Sequence, residues 1–355
     1  MTVKTKRTLL IASIVTAAVL AAFLIAIQIR RHSAPEAVRL LPQADGIVYF
    51  DVKTVRRLTG FKSGNNPHDP EYQWFIDASG FEPERDLDEV AVGVHSSPTH
   101  ETRFSYVFIG HYDFGKVSSY LKQTSRDVER YRDMDIYQIP VENRTVRVAL
   151  LGLDMAAISN VDDASVLRGL IDRSKERALP FGGPGLVQDY YQHVPIGSLA
   201  WGLMRIPPAP KDPRQARNLS LPGGIDIFVP SASTMVASVR FITSLDFKAE
   251  FFTASEEDAK HFVEQAQTFL TLFQSIQSSA QLSGSDPDVK AVFSSFHFEQ
   301  QKDRAILTAD IPLGFIKKIF NEPPTQITPE EQKPVEEPPA QTVIKPKAKT
   351  RSGKK

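Results

Sequence analysis

VAVGVHSSPTHETRFSYVFIGHYDFGKVSSYLKQ, residues 90–123, holds the two patterns that set the fold class. Val90–His95 and Phe104–Gly110 are rich in β-branched and aromatic residues, and they read as the two strands of a hairpin. Asp113 then stands where it can cap a helix over Phe114–Gln123, and Phe114, Val117, Tyr120 and Leu121 share one face of that helix. A hairpin followed directly by a helix belongs to an α+β protein with an antiparallel sheet.

The same grammar extends in both directions. Upstream, Leu41–Gly46 forms a turn into a strand at Ile47–Val52. Residues 60–70 form a loop by their Gly, Asn and Pro content, and Glu71–Ser79 forms a short helix ended by Gly80. Downstream comes a second hairpin, Ile136–Val141 and Thr145–Leu151, turning at Glu142-Asn143-Arg144. Met155–Ser159 adds a strand. Asp162 is placed to cap a helix over Asp163–Arg173, with Val166, Leu167, Leu170 and Ile171 inward.

Residues 180–185 (PFGGPG) break the chain. Strand Ser198–Ile206 and a Pro-rich loop, 207–224, lead to a hairpin at Thr234–Ile242 and Leu245–Thr253. Ser255 and Asp258 make a capping-box-like start to a long helix, in which Ala259, Phe262, Val263, Ala266, Phe269, Leu270, Phe273 and Ile276 recur at helical spacing. A last hairpin, Ser295–Gln300 and Ala305–Ile311, precedes a short helix ending near Phe320. Hairpin, helix, hairpin, helix thus occurs twice, each time after a lone strand. The expectation is two diverged copies of one unit, 40–180 and 181–320.

The two ends of the chain have a different character. After a basic segment, 1–8, containing Lys4, Lys6 and Arg7, residues 9–29 read LLIASIVTAAVLAAFLIAIQI without a formal charge. As a helix those residues span about 31 Å, against a hydrocarbon core of about 30 Å. Leu9, Leu10, Ile11, Ile14, Val15, Val19, Leu20, Phe23, Leu24, Ile25, Ile27 and Ile29 form the expected transmembrane anchor. Val19 and Ala21 could serve a signal-peptide cut, and a buried helix of the globular part is a third reading. The apolar run continues well past Ala21, which favours an uncleaved signal anchor. Residues 30–39 are expected to be a juxtamembrane linker. The positive-inside rule leans toward a cytoplasmic N-terminus, and so toward an exported domain on a single-pass bacterial inner-membrane protein.

The tail, 321–355, is rich in Pro, Glu and Lys and is expected to be disordered. Its last stretch carries Lys345, Lys347, Lys349, Arg351, Lys354 and Lys355 without an acid among them. The tail reads first as a solubilising terminus, and alternatively as a non-specific hook for an anionic surface.

Lys+Arg and Asp+Glu balance at 42 each, so bulk charge points to no polyanionic partner and no specific nucleic acid is expected. The absence of cysteine excludes a disulfide framework, a thiolate metal site and a Cys nucleophile.

Two stretches carry a resemblance. Gly80-Phe-Glu-Pro-Glu-Arg-Asp-Leu-Asp-Glu-Val90 joins a helix to a strand, and Gly110-His-Tyr-Asp-Phe-Gly-Lys116 joins a strand to a helix, with Tyr120 further on. Together they resemble uncharacterised exported or membrane-anchored envelope proteins of Acidobacteria and related Gram-negative bacteria. The resemblance implies an envelope location and an α+β fold, and no activity.

The chemical motifs are weak. Ser119-x-x-Lys122 has the spacing of a Ser nucleophile with a Lys base. The Lys-Thr-Gly-like strand that should follow is missing, and the nearest match, Lys62-Ser63-Gly64, lies upstream. His95, His100 and His111 fall on or beside the first hairpin, short of a zinc set with its usual support. Asp86/Asp88/Glu89 and Asp162/Asp163 stand at element starts, where turns and helix N-termini favour acids. Gly182-Gly-Pro-Gly185 lacks the Lys-Ser/Thr of a phosphate loop. Asn143-Arg-Thr145 and Asn218-Leu-Ser220 have only the form of glycosylation sequons.

The expectation is therefore a tethered binding or scaffold domain without cofactor, with an envelope protein, lipid or anionic polymer as partner. Two alternatives stay open. One is an envelope hydrolase using His95, His111 and the acids near Asp86. The other is a cytoplasm-facing domain whose basic tail meets nucleic acid.

Overall fold

The computed structural model describes residues 33–59, 69–96, 101–142, 144–176, 182–206, 218–221, 225–228, 233–242, 244–279, 291–292, 294–312 and 314. The expected anchor at 9–29, the helix ending near Phe320 and the basic tail lie outside these residues. Among the described residues, no helix is long and apolar enough to cross a membrane.

The chain begins with helix α1 (Glu36–Leu40), strand β1 (Gly46–Asp51) and helices α2 (Val52–Thr59), α3 (Pro70–Ser79) and α4 (Pro83–Asp86). Strands β2 (Leu87–Ser96) and β3 (Thr102–Gly110) form the first hairpin, and α5 (Phe114–Thr124) follows. Next come β4 (Asp127–Tyr131), β5 (Met134–Val141), β6 (Arg144–Leu150), β7 (Met155–Ser159) and α6 (Ser165–Lys175). The second part has α7 (Gly185–Tyr190), a 3-10 turn (Tyr191–His193), β8 (Ser198–Ile206), β9 (Asn218–Leu221) and β10 (Ile225–Phe228). It ends with β11 (Ser233–Phe241), β12 (Leu245–Phe252), α8 (Glu256–Ser279), β13 (His297–Gln301) and β14 (Arg304–Ile311).

Twelve of these strands make one antiparallel sheet in the order β13-β14-β12-β11-β8-β1-β2-β3-β7-β6-β5-β4, and β9–β10 pair separately. The two parts of the chain therefore share a sheet, joined where β1 pairs β8 with Tyr49 opposite Trp201. Outward from that pair the order is β1-β2-β3-β7-β6 on one side and β8-β11-β12-β14-β13 on the other. A helix (α1, α7) precedes each central strand, and a helix (α5, α8) follows each third strand. The first side adds β5 and β4 at its edge.

One face of the sheet carries the largest core. Ile47, Tyr49, Ala91, Val107, Ile136, Ala149, Ala157, Trp201 and Leu203 point that way and pack beneath α1, α6 and α7. Helix α5 covers the opposite face at one end, over Tyr137, Val148 and Leu150. Helix α8 covers it at the other end, placing Phe262 and Val263 on Ala249, Phe251 and Ala305.

Local signals explain several boundaries. Asp113 accepts the Lys116 amide and caps α5. Gly80 takes a left-handed conformation (φ 68°) and stops α3. The Ser255 hydroxyl accepts the Asp258 amide and donates to its carboxylate, giving α8 its capping box.

Two expectations change. The supposed linker at 30–39 enters the core at Ala34, and Ala37, Val38 and Leu40 of α1 are fully buried. Five residues are too few to display a helical period, so only packing reveals this helix. At α6 the N-terminal carboxylate is Asp163, which accepts from the Ser165 amide and hydroxyl, whereas Asp162 pairs with Arg103 at 3.3 Å.

Candidate functional site

Strands β1, β2, β3 and β8 read as nearly unbroken apolar runs rather than as alternations. Such runs belong to strands withdrawn from water on both faces. One face meets that expectation under α1, α6 and α7. At the centre of the opposite face, no described helix provides that cover. There Val48, Phe50, Val90, Val92, Val94, Phe104, Tyr106, Phe108, Ala200, Met204 and Val239 form a continuous apolar floor, and none of them joins the three hydrophobic clusters. Phe50 is 43 % exposed.

Among the described residues, the glycines of the floor meet nothing above it. A Cβ placed on Gly202 would meet only Ile47 O at 3.5 Å and Val48 Cγ2 at 3.9 Å. One on Gly46 would meet Val94 and Met204. All of these atoms belong to the sheet itself. On the covered face a Cβ on Gly93 would meet Ser105 and His95 of the sheet and also Ala44, outside the sheet, at 3.5 Å.

The floor has walls. On one side stands α5, backed by α3 through Trp74 on Tyr120 (5.8 Å) and Phe75 on Tyr120 (5.5 Å). On the other side stands α8. The gap is about five strands, or roughly 24 Å. Along β3 the rings of Phe104, Tyr106 and Phe108 follow one another at 5.9 and 5.7 Å.

At the end where β1 finishes, the chain turns directly into α2. Lys53 and Arg56 of α2 reach Asp88 at 2.6 and 3.2 Å, and His111 Nδ1 lies 3.6 Å from the same carboxylate. Burial works against the ionised Asp88. The hydrogen-bonded Lys53 ammonium, His111 and Arg56 together outweigh it and hold the carboxyl below its usual range.

The clustered face carries two polar groupings. Glu250 is buried, with Lys248 at 2.5 Å, Arg304 at 3.2 Å and His193 at 3.8 Å. Beside it, a cavity of about 320 Å³ is lined by Arg240, Asp246, Lys248, Ser295, Thr308 and Asp310. Its charges pair internally, with Arg240 on Asp246 at 3.3 Å, so it favours neither sign of ligand.

The second grouping is Glu89, hydrogen-bonded to Tyr49. Burial raises the Glu89 pKa above its ordinary value, and Asp51, Asp88 and Glu36 add to the rise, against the Tyr49 bond. A carboxyl whose folded pKa is raised supports the fold fully below its unfolded pKa, and that support is lost as pH rises through the folded value. Glu89→Gln, always neutral, is therefore expected to match the native chain near pH 4 and to exceed it in melting temperature at pH 7. Parallel melts at the two pH values check this, and a variant that loses stability at pH 7 overturns it.

The residues considered for chemistry do not converge. His95 points to the clustered face, 2.9 Å from Ser105 Oγ, and burial lowers its pKa. His111 stands at the far end of the hairpin, about 24 Å away along the strand, and is exposed. His100 lies outside the described residues. Ser119 and Lys122 are exposed on α5. Among the described residues, no three His, Asp or Glu side chains gather as a metal set.

The stretches 80–90 and 110–116 instead fold onto each other. Leu87 registers with Gly110, the His111 amide donates to the Asp86 carbonyl at 2.8 Å, and Phe81 meets Tyr112. The Tyr112 hydroxyl donates to the Gly152 and Met155 carbonyls at 2.7 Å, and its pKa is pushed up to about 12 by burial. These motif residues build a joint between β2, β3 and β7. Sequence reasoning missed the bare floor, although the two-sided apolar runs of β2 and β3 were its signal.

Fold and site define an α+β protein on one open antiparallel sheet, with an apolar face that the described helices leave uncovered between α5 and α8. No family model matches the chain, and no curated protein matches it in sequence. Among solved structures it is similar to TP0453. Crystal forms III, IV and I align with TM-scores of 0.42, 0.40 and 0.44 at 9, 10 and 10 % identity, covering 81 % of this chain and 98, 96 and 98 % of that one.

Proposed function

We propose that the chain is a membrane-tethered binding domain of the bacterial envelope, exported across the inner membrane and held there by residues 9–29. The bare apolar floor is its binding surface. That floor carries the reading, because at roughly 24 Å by 20 Å it is of the size of the largest apolar patches on soluble monomers, which are often functional. The uncharged 21-residue run and the basic residues before it support the tether. The matching strand and helix orders on either side of the β1–β8 pair support an origin by duplication of one α+β unit.

Two readouts test this. The chain has no cysteine, so single substitutions at Ser63, Ser283 and Ser352 can be labelled in intact cells with an impermeant thiol reagent after the outer membrane is permeabilised. Labelling at all three is expected, and labelling only after lysis overturns export. Photoreactive benzoylphenylalanine at Val92, on the floor, is expected to capture an occupant in those cells. The same group at exposed Gln188 of α7 is not. No adduct at Val92 overturns the floor as a binding surface.

A further inference from the structure

Resting on that reading, we propose that the floor takes the acyl chains of an anionic lipid, with the headgroup at α2. Three observations favour a lipid over other occupants.

The first concerns the chain's own apolar segment. Helix α1 lies on the clustered face, packed with Leu167, Leu170 and Ile171 of α6. Ala34, two residues before α1, is buried in the same core, and only residues 30–33 separate it from the run ending at Ile29, a reach of about 14 Å. Helix layers on opposite faces of a sheet lie about 20 Å apart. The segment 9–29 therefore cannot readily cross to the floor.

The second concerns shape. The floor is recessed between α5 and α8, each standing about 10 Å proud of it. Two copies facing each other would meet at these walls before their floors touched. A flexible acyl chain is not so limited. The floor runs about 20 Å along β1, longer than the roughly 15 Å depth of one acyl leaflet.

The third concerns charge. Helix α2 carries Lys53, Arg56 and Arg57 and no acid. Asp88 engages Lys53 and Arg56, and Arg57 is exposed. A basic cluster at one end of an apolar trough complements a molecule with an apolar body and an anionic head.

The test uses the full chain in phosphatidylcholine vesicles containing phosphatidylglycerol with a photoreactive diazirine on its acyl chain. Irradiation and peptide mass spectrometry then locate the adducts. Adducts are expected on the floor residues of β1, β2, β3 and β8, besides those on 9–29. Gly202→Phe places a ring over the floor without removing a contact. It is expected to cut floor labelling about tenfold while leaving the anchor labelled. Arg57→Glu is expected to cut it about fivefold.

Labelling confined to residues before Ser33, or unaffected by Gly202→Phe, overturns the proposal. Equal labelling by a phosphatidylcholine analogue overturns the anionic headgroup. If lipid labelling fails while Val92 captures a protein in cells, the lipid is wrong and the binding surface stands. If both fail, neither stands.

Discussion

Gly110→Ala is expected to destabilise the fold by about 3 kcal/mol, at the top of the overpacking range. A Cβ at Gly110 would fall inside contact distance of the Asp86 carbonyl oxygen, with Leu87 Cα at 3.1 Å and the Asp86 carbonyl carbon at 3.2 Å. Every one of these is a backbone atom, so no side chain can swing away. Hydrogen bonds fix the backbone on both sides. Gly110 donates to Asp154 O at 2.8 Å and His111 to Asp86 O at 2.8 Å. Gly115, five residues on, provides the contrast. A Cβ there meets only a side-chain oxygen of Asp113 at 3.3 Å, and the position is in the first turn of α5. Gly115→Ala should be neutral or gain up to about 1 kcal/mol from helix propensity. Urea unfolding should show a lower midpoint for Gly110→Ala at unchanged slope. A change within about 0.5 kcal/mol would mean that this joint yields.

The same joint shows what the sequence could and could not disclose. The hairpins were legible because each strand is a compact β-branched and aromatic run. The starts of α5 and α8 were legible because Asp113 and Ser255 cap through their own side chains. Strand β4 was not legible: Asp127-Val-Glu-Arg-Tyr131 is a charged edge strand, which sequence patterns render as loop. Helices α1, α2, α4 and α7 have eight residues or fewer, too short for periodicity to register. Strand order was hidden for another reason. The pairing of β3 with β7 and of β12 with β14 skips intervening elements, and no local signal encodes it. The candidate site follows from that order. Apolar character on both faces of β2 and β3 was visible in the sequence. Only the topology shows that the described helices cover the clustered face at the centre of the sheet and the opposite face only towards its ends, under α5 and α8.

Leu40→Ala is expected to cost about 3 kcal/mol, within the 2–5 kcal/mol usual for emptying a buried leucine site. Leu40 is 1 % exposed at the end of α1, and its carbonyl accepts from Arg173 Nε of α6 at 2.6 Å. The helix beneath it cannot collapse into the space without disturbing that bond. Glu36→Ala, one turn earlier and exposed, should stay within about 0.5 kcal/mol. If 33–39 were a solvated linker, both substitutions would be silent, so the pair decides where the folded domain begins. The answer bears on function. With the domain starting at Ala34 and the apolar run ending at Ile29, the tether is about 14 Å at full stretch. On the proposed anchoring by residues 9–29, that length would hold the clustered face and α1 near the bilayer and direct the floor elsewhere. On that proposal, a lipid reaching the floor would leave the membrane, at least in part, rather than be met within it. Inserting a flexible Gly/Ser segment before Ser33 should leave stability unchanged, whereas deletion through Ala34–Leu41 should unfold the domain.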